Sequence, residues 1–138
     1  LVTAIAHFTA AGYNDGVTLY LILLEVKSVL TKEELPACPV ATTVALIGSK
    51  WKLLIMRNLQ MRTWRFNELK KDLEGISQKV LTDSLRSMEK DGIVVRTVYA
   101  EVPPRVEYSL SELGKSMHPI IDAMADWGRA YQQMINKQ

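Results

Sequence analysis

The stretch from Gly75 to Gly92, GISQKVLTDSLRSMEKDG, constrains the fold of this chain more than any other segment. Gly75 marks the end of one helix, because glycine adopts the left-handed conformation there at the least cost. Ser77 then caps a second helix, which is predicted to extend to Asp91. Two helices joined by about three residues, with a glycine in the turn, predict a helix-turn-helix.

The helix from Ser77 to Asp91 divides into two faces when its residues are placed about 100° apart. The predicted inner face is mostly apolar and comprises Val80, Leu81, Ser84, Leu85 and Met88. The predicted outer face is polar and comprises Lys79, Thr82, Asp83, Arg86 and Lys90, with Gln78 near the boundary. Such an outer face is typical of a helix that reads a DNA groove, and equally of a solvated helix with pairs such as Lys79 and Asp83.

A strand pattern follows this helix directly. Residues 93–100 are rich in β-branched side chains, 101–104 (Glu-Val-Pro-Pro) predict a turn, and apolar and polar residues alternate from 105 to 110. A helix-turn-helix followed by a hairpin predicts a winged helix. Arg105 is expected at the tip of this wing, where a guanidinium can enter a minor groove or bind a phosphate.

Helix signals also precede the helix-turn-helix. An apolar helix is predicted from Pro39 to Ile47, Ser49 caps the next helix, a short extended piece covers 63–66, and a third helix covers 67–73. Leu69 and Leu73 are expected to point inward from this third helix. The helix after Ser49 has a predicted buried stripe of Trp51, Leu54, Ile55 and Leu59, with Lys50, Lys52, Arg57 and Arg62 off it.

The C-terminal segment has an apolar stripe with no predicted core to cover. Ser111 caps a helical segment that is expected to run to about Lys137, with a kink or break near His118 because Pro119 follows it. Beyond the break the stripe steps by four and three residues, as in a short heptad seam. A second copy of the chain is the expected partner of this stripe, which comprises Ile120, Met124, Trp127, Tyr131 and Met134. The predicted fold class is therefore mainly α with a small antiparallel β hairpin, a winged helix-turn-helix with a terminal dimerisation helix.

Composition limits the organisation of the chain. With 138 residues and 48% hydrophobic content, it can bury one core of ordinary size. We expect one domain over 38–138, preceded by an N-terminal extension of uncertain order over 1–37. The single cysteine, Cys38, rules out an internal disulfide framework and fits a reducing cytoplasmic compartment. The apolar run of 17–24 is far shorter than the roughly 20 residues that span a bilayer, so no membrane partner is expected.

Charge is distributed unevenly along the chain. Between Lys50 and Arg105 there are twelve Lys or Arg residues and seven Asp or Glu residues, a local excess of +5. The rest of the chain carries −3. A basic middle is typical of a protein with a polyanionic partner, although it also fits an ordinary solvated surface.

With these motifs in place, the chain resembles the HxlR family of bacterial winged-helix transcriptional regulators, which are relatives of the MarR type. The resemblance covers about Cys38 to Tyr131. The motifs that carry it are CPV at Cys38, ALIGSKWKLLIMRNL from Ala45, RFNEL from Arg65, GISQKVLTDSLRSMEKDG from Gly75, EVPPRVEYSLSELGKS from Glu101 and the closing Asp126-Trp127-Gly128. It implies a dimeric DNA-binding regulator whose recognition helix begins at Ser77 and whose wing is the strand pair around Pro103-Pro104. Residues 1–37 depart from the pattern, because members usually have only a short lead before the Cys-Pro.

Double-stranded DNA is thus the predicted partner, and its contacts divide into two kinds. Phosphate contacts position a protein without reading sequence, whereas base contacts specify the site. The predicted phosphate contacts are Arg65, Lys79, Arg96, Arg105, the Ser77 hydroxyl and the backbone N–H groups at that helix start. The predicted base contacts are Gln78 with adenine, Thr82 with a thymine methyl or a polar edge, Arg86 with guanine and Asp83 with cytosine.

Cys38 is a candidate regulatory residue. It directly precedes Pro39 at the start of a predicted helix, where the partial positive charge favours a thiolate. The resemblance implies that such a cysteine senses oxidants or electrophiles in some members, through an intersubunit disulfide or a mixed disulfide with a small thiol. The alternative is that Cys38 is a small buried hydrophobic residue.

Other classes of function fit less well. The lone cysteine and the two histidines, His7 and His118, have no metal-ligand spacing, and no phosphate loop or nucleophile elbow is present. No enzymatic activity, metal or cofactor is therefore expected. Two alternatives stay open: a winged helix used only for protein contacts, and a DNA-binding regulator controlled by a small ligand in a dimer crevice lined by Trp51, Trp127 and Tyr131.

Overall fold

The computed structural model describes residues 32–137. Most of the predicted N-terminal extension, 1–31, lies outside the described residues. The elements in chain order are a 3-10 turn at Lys32–Glu34, α1 (Pro39–Ile47), α2 (Lys50–Met61), β1 (Trp64–Arg65), α3 (Phe66–Asp72), α4 (Gln78–Lys90), β2 (Val94–Tyr99), β3 (Arg105–Leu110), α5 (Glu112–Ser116) and α6 (His118–Asn136).

Serine caps begin three of these helices, as the sequence predicts. Ser49 accepts a hydrogen bond from the Lys52 backbone N–H, and Ser77 accepts one from the N–H of Val80. Ser111 caps α5 in the same way. Each side chain satisfies one of the backbone donors that a helix start leaves without a partner, so the caps fix where α2, α4 and α5 begin.

Two predicted interruptions are also confirmed. Gly75 has φ +86°, a left-handed conformation that lets the chain turn between α3 and α4. The C-terminal segment breaks between Ser116 and His118, and Pro119 lies in the first turn of α6, where its missing N–H costs no helical hydrogen bond. The helix-turn-helix therefore consists of α3 and α4.

The hairpin belongs to a three-stranded antiparallel sheet with strand order β1-β3-β2. In the wing, Val94 pairs with Leu110 at the base and Tyr99 pairs with Arg105 at the tip. The extended piece after α2 adds the two-residue strand β1, in which Trp64 lies opposite Tyr108. This mainly helical winged helix-turn-helix confirms the predicted fold class.

The core lies between α2, α4 and the sheet. Its fully buried side chains include Ile55 and Met56 of α2, Leu69 of α3, Leu81 of α4 and Ile93 before β2. The inward positions predicted for α3 are both confirmed, since Leu69 and Leu73 are buried. Burial of each such side chain contributes about 1.5–3 kcal/mol, which makes this cluster the main source of stability for the domain.

Three predicted side-chain positions are wrong. Val80, assigned to the inner face of α4, is 37% exposed. Its neighbours Ser77, Gln78 and Lys79 are exposed as well, because the first turn of α4 projects beyond the core. Thr82, assigned to the outer face, is half-buried, and so is Lys52, which was placed off the buried stripe of α2. No helix within residues 32–137 is both long enough and apolar enough to cross a membrane.

Candidate nucleic-acid interface

The exposed surface of α4 contains most of the predicted base contacts. Gln78 and Arg86 are exposed and make no hydrogen bond or ion pair through their side chains with residues 32–137. Asp83 is exposed but pairs with Lys79, with 2.6 Å between Oδ2 and Nζ. The Thr82 hydroxyl donates to the Gln78 carbonyl at 2.8 Å. Gln78, Arg86 and the exposed Lys90 are thus the side chains on this face whose donors are available to a ligand.

The start of α4 is a second feature of this surface. The first turn contains no acidic residue that would neutralise the positive end of the helix dipole. The Ser77 oxygen accepts from the Val80 N–H at 3.1 Å, which leaves the proton of its hydroxyl free to donate. The geometry therefore suits an anion at this exposed helix start.

Arg105 is in a different environment from the one expected for a free guanidinium at the wing tip. Its Nη2 lies 3.0 Å from Glu101 Oε1 and its Nη1 lies 2.8 Å from Glu107 Oε1. The guanidinium carbon lies 4.0 Å from the centroid of the Tyr99 ring, and Nε is buried without a hydrogen-bond partner. Two carboxylates therefore offset the charge of Arg105. The alternation of residues along β3 puts Arg105 and Glu107 on one face, so the sequence pattern itself places this carboxylate near the guanidinium.

Arg96 and Arg86 line the same crevice between the wing and α4, although they were predicted to play different roles. The crevice has a volume of about 370 Å³. Its other lining residues are Phe66, Thr82, Leu85, Glu89 and Tyr108. Sequence reasoning missed Glu89 and Tyr108 because only the packing of the sheet against α4 brings them together.

Arg65 lies at the edge of this surface, at the start of α3. Its backbone N–H donates to Glu68 Oε2 at 2.9 Å, and its side chain is exposed. That backbone hydrogen bond, assisted by a hydrogen bond from Arg62, lowers the pKa of the Glu68 carboxyl from its ordinary value. The carboxylate of Glu68 thereby holds the backbone at the start of α3, the first helix of the helix-turn-helix.

The predicted dimerisation stripe is exposed along α6 in the described chain. Trp127 is 69% exposed, and its ring stacks on that of Tyr131 with 5.3 Å between centroids. The other members of the stripe, Ile120, Met124 and Met134, are exposed as well. Trp51 of α2, which was proposed to line a ligand crevice with Trp127 and Tyr131, is half-buried against the core.

Cys38 is the N-cap residue of α1, and it is exposed. Its carbonyl accepts from the Thr42 N–H at 3.1 Å, while its side chain makes no capping hydrogen bond. The alternative interpretation of Cys38 as a buried hydrophobic residue is therefore wrong. Within residues 32–137, no three His, Cys, Asp or Glu side chains are grouped so that they could hold a metal ion.

Comparison with known proteins identifies the class to which this fold and surface belong. Residues 46–136 match the family model described as HxlR-like helix-turn-helix. The chain belongs to this family and is a DNA-binding transcriptional regulator.

Individual relatives agree with this assignment. YdeP of Bacillus subtilis, named as an uncharacterized HTH-type transcriptional regulator, is 44% identical over 107 residues, which span 78% of this chain and 84% of YdeP. The structure of the redox regulator HypR in its oxidized form has a TM-score of 0.65 and 45% identity, covering 67% of this chain and 96% of HypR. Diamide-treated YodB from B. subtilis has a TM-score of 0.58 and 33% identity, covering 68% of this chain and 94% of YodB.

Proposed function

We propose that two copies of the chain bind one DNA operator in the cytoplasm, each with α4 in a major groove and the β2–β3 wing beside it. The exposed first turn of α4, 77–80, is the observation that carries this proposal. Because this turn projects beyond the core, Gln78 and the helix N-terminus can approach base edges and phosphates without moving buried side chains.

Base recognition falls to the exposed middle and start of α4. Gln78 can pair with adenine through both groups of its amide, and the methyl of Thr82 can contact a thymine methyl. Asp83 can accept from cytosine, although its oxygen already pairs with Lys79. Replacing Gln78 by Ala is expected to relax the preference at one base pair by about 1–3 kcal/mol, which the affinities of operators with single substitutions measure.

Phosphate binding falls to the rim of the same surface. The Ser77 hydroxyl and Lys79 lie at the start of α4, and the exposed Arg65 side chain lies at the start of α3. Arg105 stays a predicted phosphate contact, but Glu101 and Glu107 oppose it, because a phosphate that approaches the guanidinium also meets their charges.

Selection from a random duplex library tests the proposal directly. The full chain should enrich a common sequence with two half-sites about 10 base pairs apart or a multiple of this, because the two recognition helices contact successive major grooves. Fluorescence anisotropy should then give an affinity for the selected duplex at least about 1,000-fold higher than for a scrambled duplex. Equal affinity for both duplexes, or enrichment of single half-sites, would contradict the proposal.

Homodimerisation through α6 is part of the same proposal. The stripe defined by Ile120, Met124, Trp127, Tyr131 and Met134 offers a continuous apolar surface with a stacked aromatic pair near its centre. A two-fold related copy can cover this surface with its own stripe, and the pairing sets the distance between the two α4 helices.

Cys38 is proposed to couple DNA binding to thiol chemistry. Its exposure at the start of α1 leaves the sulfur accessible to a small oxidant or thiol. HypR is named a redox regulator, and the YodB structure was obtained after diamide treatment, which supports this assignment. Two Cys38 thiols form an intersubunit disulfide while diamide takes up the two electrons and two protons. With a small thiol present, the same oxidation yields a mixed disulfide.

Mild diamide treatment tests this coupling, with and without glutathione. Non-reducing electrophoresis should reveal a linked dimer, or intact mass should increase by the added thiol, and the affinity for the selected duplex should change in parallel. Dithiothreitol should reverse both changes, and Cys38→Ser should abolish them. An unchanged mass and affinity in the wild-type chain would contradict redox control and leave DNA binding intact.

A further inference from the structure

The crevice between α4 and the wing brings together two arginines from consecutive elements of the chain. Arg86 belongs to α4 and Arg96 to β2, and both are exposed. Neither guanidinium group makes a hydrogen bond or an ion pair with residues 32–137. Arg105, by contrast, lies between two carboxylates. The crevice is therefore the place in the described wing region where guanidinium charge is available to a ligand.

The dimensions and lining of the crevice suit a single anionic group. Its volume of about 370 Å³ has room for a phosphate group with some of its water. The Tyr108 hydroxyl can add a donor, while the Glu89 carboxylate is the one acidic group that lines the cavity. Two guanidinium groups against one carboxylate leave a net positive site. Each guanidinium can bind phosphate oxygens with two parallel hydrogen bonds. Because a phosphodiester carries a negative charge and a base edge carries none, the net positive charge of this pair favours a phosphate over a base edge.

We infer that one DNA phosphodiester binds in this crevice, held by Arg86 and Arg96 together, and that Arg86 reads no base. This inference rests on the proposed DNA binding and changes the role that the sequence suggests for Arg86. Because one arginine belongs to α4 and the other to the wing, a shared phosphate fixes the angle at which both elements meet the duplex. Gln78 and Thr82 then read bases from a defined depth in the groove.

Single and double substitutions test whether the two arginines share a ligand. Arg86→Ala and Arg96→Ala should each weaken binding of the selected and scrambled duplexes about equally, by about tenfold, and lower the salt slope by about 1. The fold-loss of DNA affinity in the double variant should be clearly smaller than the product of the two single fold-losses, because either substitution already disrupts the shared site. Lys90→Ala, on the same helix but outside the crevice, controls for the loss of one positive charge.

Methylphosphonate linkages locate the contact on the DNA. Each phosphate of the selected duplex is replaced in turn by this neutral linkage, and the affinities of the wild type and the three arginine variants are compared. One linkage in each half-site should weaken the wild type but have little further effect on any arginine variant. Lys90→Ala should remain as sensitive at that linkage as the wild type. Circular dichroism and thermal unfolding confirm that the variants are folded.

Several outcomes would overturn the inference. If Arg86→Ala changed the preference at one base pair while its methylphosphonate sensitivity stayed that of the wild type, Arg86 would be a base contact. If the two arginines mapped to different linkages with additive losses, they would not share a phosphate. Saturable binding of inorganic phosphate that the double variant loses, with unchanged DNA affinity, would assign the crevice to a free anion. Loss of DNA binding by the wild type itself would instead contradict the proposed function.

Discussion

Lys52 lies in a different environment from its neighbour Lys50 on α2. The Lys52 ammonium donates to the Ser87 hydroxyl at 2.8 Å and to the Leu46 carbonyl at 3.2 Å, and it lies 3.9 Å from Asp91 Oδ2. Its side chain is only 16% exposed. A lysine that is predicted to be solvated thus connects the end of α1 with α4.

Replacing Lys52 by Met should destabilise the domain by about 1–3 kcal/mol, because the change leaves a hydroxyl and a carboxylate in a partly buried site without their partner. Urea unfolding followed by circular dichroism measures the loss. Lys50→Met is the matched control, since Lys50 is exposed and its ammonium lies over the Trp51 ring, with no hydrogen bond or ion pair to residues 32–137. Equal losses for the two variants would show that Lys52 contributes no more than a surface lysine.

The stability of the domain depends on pH through the Glu68 carboxyl. Its pKa is lowered by the Arg65 backbone hydrogen bond and by Arg62, so the folded state binds a proton less readily than the unfolded chain. The stabilisation is present above the unfolded pKa, whose ordinary value is 4.5, and is lost as the pH falls through the lower folded value.

Glu68→Gln should therefore unfold at a lower temperature than the wild type at neutral pH, and the difference should narrow on acidification to about pH 3. Thermal unfolding at the two pH values measures both effects. Glu74→Gln serves as the control, because Glu74 is exposed and makes no hydrogen bond to residues 32–137. If the unfolding temperatures of Glu68→Gln and the wild type differed by the same amount at both pH values, the ionised Glu68 carboxylate would not be the source of the stabilisation.

At the scale of elements, the turn between α3 and α4 sets the direction of the recognition helix. Gly75 has φ +86°, and apart from Gly75 and the two residues next to it in the chain, no atom lies within 4 Å of the position that a Cβ would occupy. The requirement for glycine is therefore one of backbone conformation and not of space. Ser77 then ends the turn by capping α4.

Gly75→Ala should destabilise the domain by about 1–2 kcal/mol, because a Cβ in the left-handed region approaches the following carbonyl oxygen. Gly75→Asn should destabilise the domain less than Gly75→Ala, since asparagine tolerates the left-handed conformation better than alanine. Chemical denaturation of the three chains gives the order of stability directly. An alanine variant as stable as the wild type would show that the turn relaxes to another conformation.

At the scale of the whole molecule, the apolar stripe of α6 is the surface through which two copies of the chain are proposed to pair. One chain presents one α4, whereas an operator with two half-sites needs two α4 helices at a fixed separation. The side chains of the stripe point away from the described core, so the assembly can form without reorganising the domain.

Trp127→Glu should raise the dissociation constant of the dimer by at least about 30-fold, because it places a charge at the centre of the proposed interface. Sedimentation equilibrium measures the dissociation constant, and anisotropy should report weaker operator binding. The unfolding free energy of the monomer should change by less than about 0.5 kcal/mol, since Trp127 is exposed there. Gln132→Glu is the control, because it adds the same negative charge to α6 outside the stripe. If both variants raised the dissociation constant equally, the dimer interface would lie elsewhere.

The sequence by itself determined where three helices begin and where the chain turns between α3 and α4. Ser49, Ser77 and Ser111 cap their helices and Gly75 turns the chain because each acts on backbone groups only a few residues away. The buried side of α4, with Leu81, was likewise predictable, since helical periodicity alone places such residues on one face. The resemblance of the motifs to one family added the function that the comparisons then supported.

Only the tertiary structure decided which groups meet across the chain. Lys52 contacts Ser87, which lies 35 positions later in the sequence, and Arg86 of α4 shares a crevice with Arg96 of β2. The exposure of Val80 likewise depends on how far α4 extends past the sheet and α2. Caps and turns are set by hydrogen bonds within one helical turn, which the local sequence specifies. Contacts between distant segments depend on the relative placement of whole elements, which the packing of the shared core fixes.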